Sequence, residues 1–139
     1  MAYGHRVLDL SFPTGSTIAI VHRCVRLTTA GVVVHTTAAS TAGNVRFLGV
    51  LEDAPTASTS SPGYAAPVRV EGVVKVEASS AAITPGFWLR LTSGAAASTS
   101  RLGGTVRSTT THENAIGMSL DGVAAGTGRR LVSMLIRSA

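Results

Sequence analysis

The sharpest alternation in the chain is VRVEGVVKVEA, residues 68–78. Val68, Val70, Gly72, Val74 and Val76 fall on one side of an extended strand, and Arg69, Glu71, Val73, Lys75 and Glu77 on the other. Successive strand side chains point to opposite faces, so this pattern predicts one buried and one solvated face. Weaker versions recur. HRVLDLSF (5–12) stops at Pro13-Thr14-Gly15, and STIAIVHRCVRLT (16–28) is long and apolar at alternate positions. VVVHTTA resumes after Ala30-Gly31, NVRFLGVLED carries Gly49 in its middle, and FWLRLTS follows Pro85-Gly86. A short strand is expected near Val106, and AIGMSLDG and RRLVSMLIRS close the chain. Residues 53–67 read as a polar Pro/Gly/Ser loop. No segment has the period of an amphipathic helix, so about eight to ten short strands in a sandwich or barrel are predicted.

Two phrases occur twice and in the same order. VRLTTAG (25–31) is echoed by LRLTSG (89–94), and LGVLEDA (48–54) by IGMSLDG (116–122). Arg26-Leu27-Thr28 and Arg90-Leu91-Thr92 are offset by 64; Leu48-Gly49 and Asp53 match Ile116-Gly117 and Asp121 at an offset of 68. The difference falls in a loop, where insertions are tolerated. The repeat is too long and too few for a solenoid. It predicts a duplication whose copies form two halves of one small barrel. Gly49 and Gly117 are expected at equivalent places where strands bend or pack closely.

Composition agrees with strands. Ser, Thr, Val, Gly and Ala dominate, whereas 14% of the 139 residues are charged and 4% aromatic. The length suits one domain with a real core. The net charge of +5 comes from dispersed arginines, Lys75 being the only lysine. No basic run is interleaved with aromatics as a nucleic-acid platform requires, and an acidic protein surface accounts for the charge as well.

Candidate chemistry is sparse. Cys24 is the only cysteine, so no intrachain disulfide forms, and its apolar neighbours make it a buried thiol. His22 lies two residues away on the same expected strand face, but no third member of a catalytic group is evident. His5, His22, His35 and His112 show no metal-ligand spacing, and no nucleophile elbow is present. GVAAGTG (122–128) lacks the lysine and helix of a phosphate loop and reads as a hairpin turn. No leader peptide or membrane-spanning run is predicted, and a chain kept in a reducing cytoplasm is expected. No enzyme, metal or cofactor is implied.

The order VRLTTAG, LGVLEDA, VRVEGVVKVEA, ITPGFWLRL and AIGMSLDGVAAGTGRRLVSMLIR resembles that of tailed-phage capsid decoration (cement) proteins, over roughly residues 14–137. The resemblance implies an all-β domain, a small barrel or β-tulip-like fold, on the outside of an icosahedral head. It implies the major capsid protein as partner, assembly in the host cytoplasm, and self-association as homotrimers, with no nucleic acid and no membrane. The expected organisation is an N-terminal arm (1–13) and a decoration domain (14–139). Tyr3, His5, Arg6 and Phe12 in the arm, together with Trp88, are the expected capsid or subunit contacts; an edge strand of the barrel is the other reading of the arm. The alternative function is a small β-barrel binding module for glycan or nucleic acid.

Overall fold

A computed structural model describes residues 7–14, 20–36, 47–53, 65–92 and 104–136. Ten strands are present: β1 (Leu8–Pro13), β2 (Cys24–Leu27), β3 (Val33–His35), β4 (Gly49–Leu51), β5 (Ala65–Glu71), β6 (Val73–Glu77), β7 (Trp88–Leu91), β8 (Val106–Thr109), β9 (Gly117–Ser119) and β10 (Leu131–Ile136). One turn of 3-10 helix, His112–Asn114, is the only helical element among the described residues. The all-β class expected from the alternation is what the chain adopts.

The strands form two five-stranded antiparallel sheets, ordered β1-β5-β4-β2-β3 and β6-β10-β9-β7-β8. Counted from its own first strand, each half has the same order, so the duplication read from two short phrases extends to the whole topology. The ladders agree in register: Val25 pairs with Gly49 as Leu89 pairs with Gly117. The outermost strands of each sheet approach through one isolated parallel bridge, Thr14 to Val33 and Ala78 to Val106. Each half is therefore its own curled sheet with an open ladder. Of the sandwich or barrel expected, the chain forms a small two-sheet, sandwich-like domain and not one closed barrel, because each half pairs its strands only within its own sheet.

The repeated phrases mark positions where geometry constrains chemistry. Thr28 N donates to Val32 O at 2.9 Å and its Oγ1 donates to the same oxygen at 3.1 Å; Thr92 does both to Thr105 O at 3.0 Å. Gly31 and Gly104 then turn the chain with φ of 75° and 76°. The partner of Gly31 is thus Gly104, not the Gly94 that the phrase suggests, because the second connection is longer. A Cβ on Gly117 would lie 2.5 Å from Leu135 O and 2.6 Å from Met134 Cγ; one on Gly49 would strike Arg69 O and Val68 Cγ1, the matching atoms of β5.

Three expected boundaries move. The strand predicted over residues 68–78 is two strands, broken at Gly72, whose φ of 101° ends β5 and starts β6. That residue joins the halves. Of the long strand expected over residues 16–28, residues 16–19 lie outside the described residues, and the described part is strand only in β2, since His22 takes φ 62° and turns the chain just before it. The arm expected over 1–13 is in part β1, an edge strand paired with β5 from Leu8 to Pro13 and tied there by Asp9, which accepts 2.8 and 3.0 Å hydrogen bonds from Arg69.

Two apolar clusters follow the sheets. In the second half, Val74, Val76, Leu89, Leu91, Val106, Ile116, Val132, Met134 and Ile136 are buried together, and Cys24 and Val50 of the first half belong to the same cluster. The first half buries Val25, Val33, Leu51, Ala66 and Val68, with Phe12, Leu48 and Val70 partly covered against them.

Candidate functional site

The halves meet along a short strip before and at the start of β2. Glu77 N donates to His22 O at 2.7 Å, and Cys24 N donates to Gly104 O at 2.8 Å. Between them Arg23, buried, donates through Nε and Nη2 to the two carboxylate oxygens of buried Glu77 at 3.1 and 3.2 Å. Two parallel charge-assisted bonds fix the orientation of the joint. Arg129 adds to it, its Nη2 donating to Val21 O at 2.9 Å and its Nε lying 3.8 Å from Glu77. His35, buried beside this pair, is held neutral: burial first, then the Arg23 charge, lowers its pKa to about 4.

Cys24 is the buried thiol that its apolar neighbours predict. Cys24 is fully buried, and burial pushes its thiol far above the ordinary value, so no thiolate forms near neutrality. His22 does not share its strand face, since the turn precedes β2. Among the described residues, no group of His, Cys, Asp or Glu is placed to hold a metal ion. No helix among them is long and apolar enough to cross a membrane.

Of the arginines, Arg23 and Arg69 are ion-paired, Arg129 bonds a carbonyl and approaches Glu77, and Arg130 donates to Ala124 O and Ala81 O. Much of the positive charge thus holds strands and turns together. Asp121 has a similar role between β9 and β10. Burial alone would raise its pKa, but hydrogen bonds from Ser133 N and Oγ, both 2.7 Å, and from Lys75 hold it below the ordinary value. Its sequence match Asp53 is exposed; Pro67, at the Ser133 position, has no N–H to offer.

The expected contact residues separate. Tyr3, His5 and Arg6 lie outside the described residues. Phe12 lies on β1 and packs inward against the first cluster, so much of its ring is used within the chain. Trp88 begins β7 and is exposed, its ring 6.5 Å from that of His112 and tilted by 46°. It is not alone. Trp88 pairs with Met118, Met118 with Leu135, and Leu135 with Val73 across four strands. These four form an apolar row on the outer face of the second sheet, and Phe87 stands exposed at its end. The row was hidden in the sequence because its members come from four separate segments; only register aligns them.

No protein-family model matches the chain, and no curated protein matches it.

Proposed function

We propose that this chain is a structural virion protein that binds the outer surface of an assembled phage capsid and cements neighbouring capsomers. Its partners would be the major capsid protein and further copies of itself, as homotrimers. The phrase order over residues 14–137 supports this reading, as does the all-β fold. The observation that carries it is the exposed apolar start of the first edge strand: Val7 and Leu8 face solvent directly after Tyr3, His5 and Arg6. Edge strands facing only water are commonly protected by charge or proline. An apolar start, close to Tyr3 in the sequence, suits a surface that is covered in the assembly.

Cementing needs no catalysis. A ligand that binds the assembled shell and not its separate subunits stabilises the shell by mass action. A contact of about 800 Å² per partner is standard for a specific complex, and repetition over a particle makes its total large. The test is co-sedimentation of purified protein with mature undecorated capsids and, separately, with isolated coat subunits. Stoichiometric binding to capsids alone is expected. Deleting residues 2–6, which spares β1, should remove binding while the far-UV circular dichroism stays unchanged. Unaltered capsid binding by that truncation removes the proposed contact; absence of the chain from virions removes the reading.

A further inference from the structure

The joint between the halves is made once in the chain, although the chain carries the parts for two. Register identifies the second set. Leu51 N donates to Arg23 O as Ser119 N donates to Phe87 O, and His22 N donates to Leu51 O as Gly86 N donates to Ser119 O. The strip His22, Arg23, Cys24 therefore corresponds to Gly86, Phe87, Trp88. The residues that receive the first strip correspond likewise. The bridge Ala78 to Val106 matches Thr14 to Val33, which sets Glu77 against Pro13, and Gly104 matches Gly31.

Neither member of the second set is occupied. Phe87 is 44% exposed and Trp88 36%, whereas Arg23 is 4% and Cys24 0% exposed. A Cβ on Gly31 meets nothing within 4 Å, whereas one on Gly104 meets Cys24 O at 2.8 Å and Arg23 Cβ at 3.0 Å. The core beneath is unfinished too. Leu10 and Leu27 are 41% and 44% exposed, but Val74 and Leu91, their counterparts in the second half, are each 2%. In that half the cluster includes Cys24 and Val50, contributed from outside.

The residues that differ do so in matched fashion. Arg23 opposes Glu77; Phe87 would oppose Pro13, an apolar pair in place of a charged one. Cys24 lies against Gly104; Trp88 would lie against the open face of Gly31. Cys24 and Val50 are replaced by the larger Trp88 and Met118, and the receiving side presents the exposed Leu10 and Leu27. One backbone bond is lost, since Pro13 has no N–H for Gly86 O.

We propose that a second copy of this chain docks here: the Gly86, Phe87, Trp88 strip of one copy seats on Pro13 and Gly31 of the next, beside the exposed Leu10 and Leu27, repeating between chains the joint made within each. Strip and seat are different patches, so a strip-on-seat contact made once joins copies head to tail and ends where rotation closes a ring, and the same contact made twice closes a two-fold dimer. The inference rests on the self-association proposed above, for which it names the surface, and does not depend on capsid binding, so the purified chain alone is the sample.

The test is cross-linking between two single variants, Phe87→Cys and Gly31→Cys. Their counterparts, Arg23 Cβ and a Cβ on Gly104, lie 3.0 Å apart, so a small shift suits a disulfide. An oxidised mixture should give a reducible two-chain band, and each variant alone should not. Ala30→Cys serves as the second seat variant if left-handed strain unfolds Gly31→Cys. Trp88→Arg should weaken association about tenfold or more by analytical ultracentrifugation, with the far-UV spectrum unchanged. Cross-linking of Phe87→Cys with itself, no band from either mixture, or a wild-type chain that stays monomeric overturns the proposal.

Discussion

His22 and Gly86 turn the chain through the same left-handed corner, with φ of 62° and 81°, one in each half. Each places its N–H 2.8 Å from the carbonyl of the residue that ends the matching strand, Leu51 or Ser119. A side chain in this region costs roughly 1–2 kcal/mol, which glycine avoids. His22→Gly is therefore expected to leave stability within about 1 kcal/mol of the parent, relief of strain offsetting lost packing and a looser unfolded chain. His22→Val should lose about 1–3 kcal/mol, because a β-branched side chain tolerates the corner least. Thermal unfolding of the two variants checks the ordering.

Gly117 is held by crowding rather than by φ. Gly117→Ala places a methyl 2.5 Å from Leu135 O, against backbone that cannot yield without disturbing β10. A loss of about 1–3 kcal/mol is expected from overpacking. Gly86→Ala meets no atom within 4 Å and should lose only about 1–2 kcal/mol, for its φ. Urea denaturation compares the two, and a smaller loss at Gly117 than at Gly86 would contradict the crowding.

The Arg23–Glu77 pair is buried at both ends. Breaking it with Glu77→Leu leaves a buried guanidinium short of its carboxylate, and a loss of about 3–5 kcal/mol is expected. Arg23→Met together with Glu77→Leu should lose clearly less than the sum of the single changes. A double-mutant cycle measures the coupling, and strict additivity would contradict a shared buried pair.

His35 sets a pH limit. Its pKa falls from 6.5 to about 4 in the folded chain, so below pH 6.5 the unfolded chain takes up a proton that the folded one refuses. Its contribution is complete above that value, is lost progressively as pH falls, and is gone below about 4. The full shift corresponds to about 3 kcal/mol. His35→Gln should flatten the decline in stability between pH 6.5 and 4, as read by unfolding at a series of pH values.

The fold class was legible because alternation with turns after short runs has few other meanings. The duplication was legible at Thr28/Thr92 and Gly49/Gly117, where a carbonyl bond or a close strand admits few residue types. The break at Gly72 was not, since valines continue the same alternation on either side and only the backbone angle changes. Nor was the correspondence of Arg23 with Phe87 and Glu77 with Pro13. There the chemistry has changed while the place has not, so no shared letter remains to find. Trp88 stood out as the lone tryptophan, but its row with Met118, Leu135 and Val73 depends on register between strands far apart in the chain.

Gly72 ties the last strand of one half to the first strand of the other through a single residue. A tether so short keeps the halves at a high effective concentration, so their joint forms without the translational and rotational loss of a bimolecular encounter. Such a joint can accept a buried ion pair, whose desolvation offsets most of its Coulombic gain. It then serves to fix alignment rather than to supply affinity. Separate molecules have no tether, and their association has to draw its free energy from the surfaces themselves. The division within this chain follows that rule, with Arg23 and Glu77 inside and Phe87 and Trp88 on the surface.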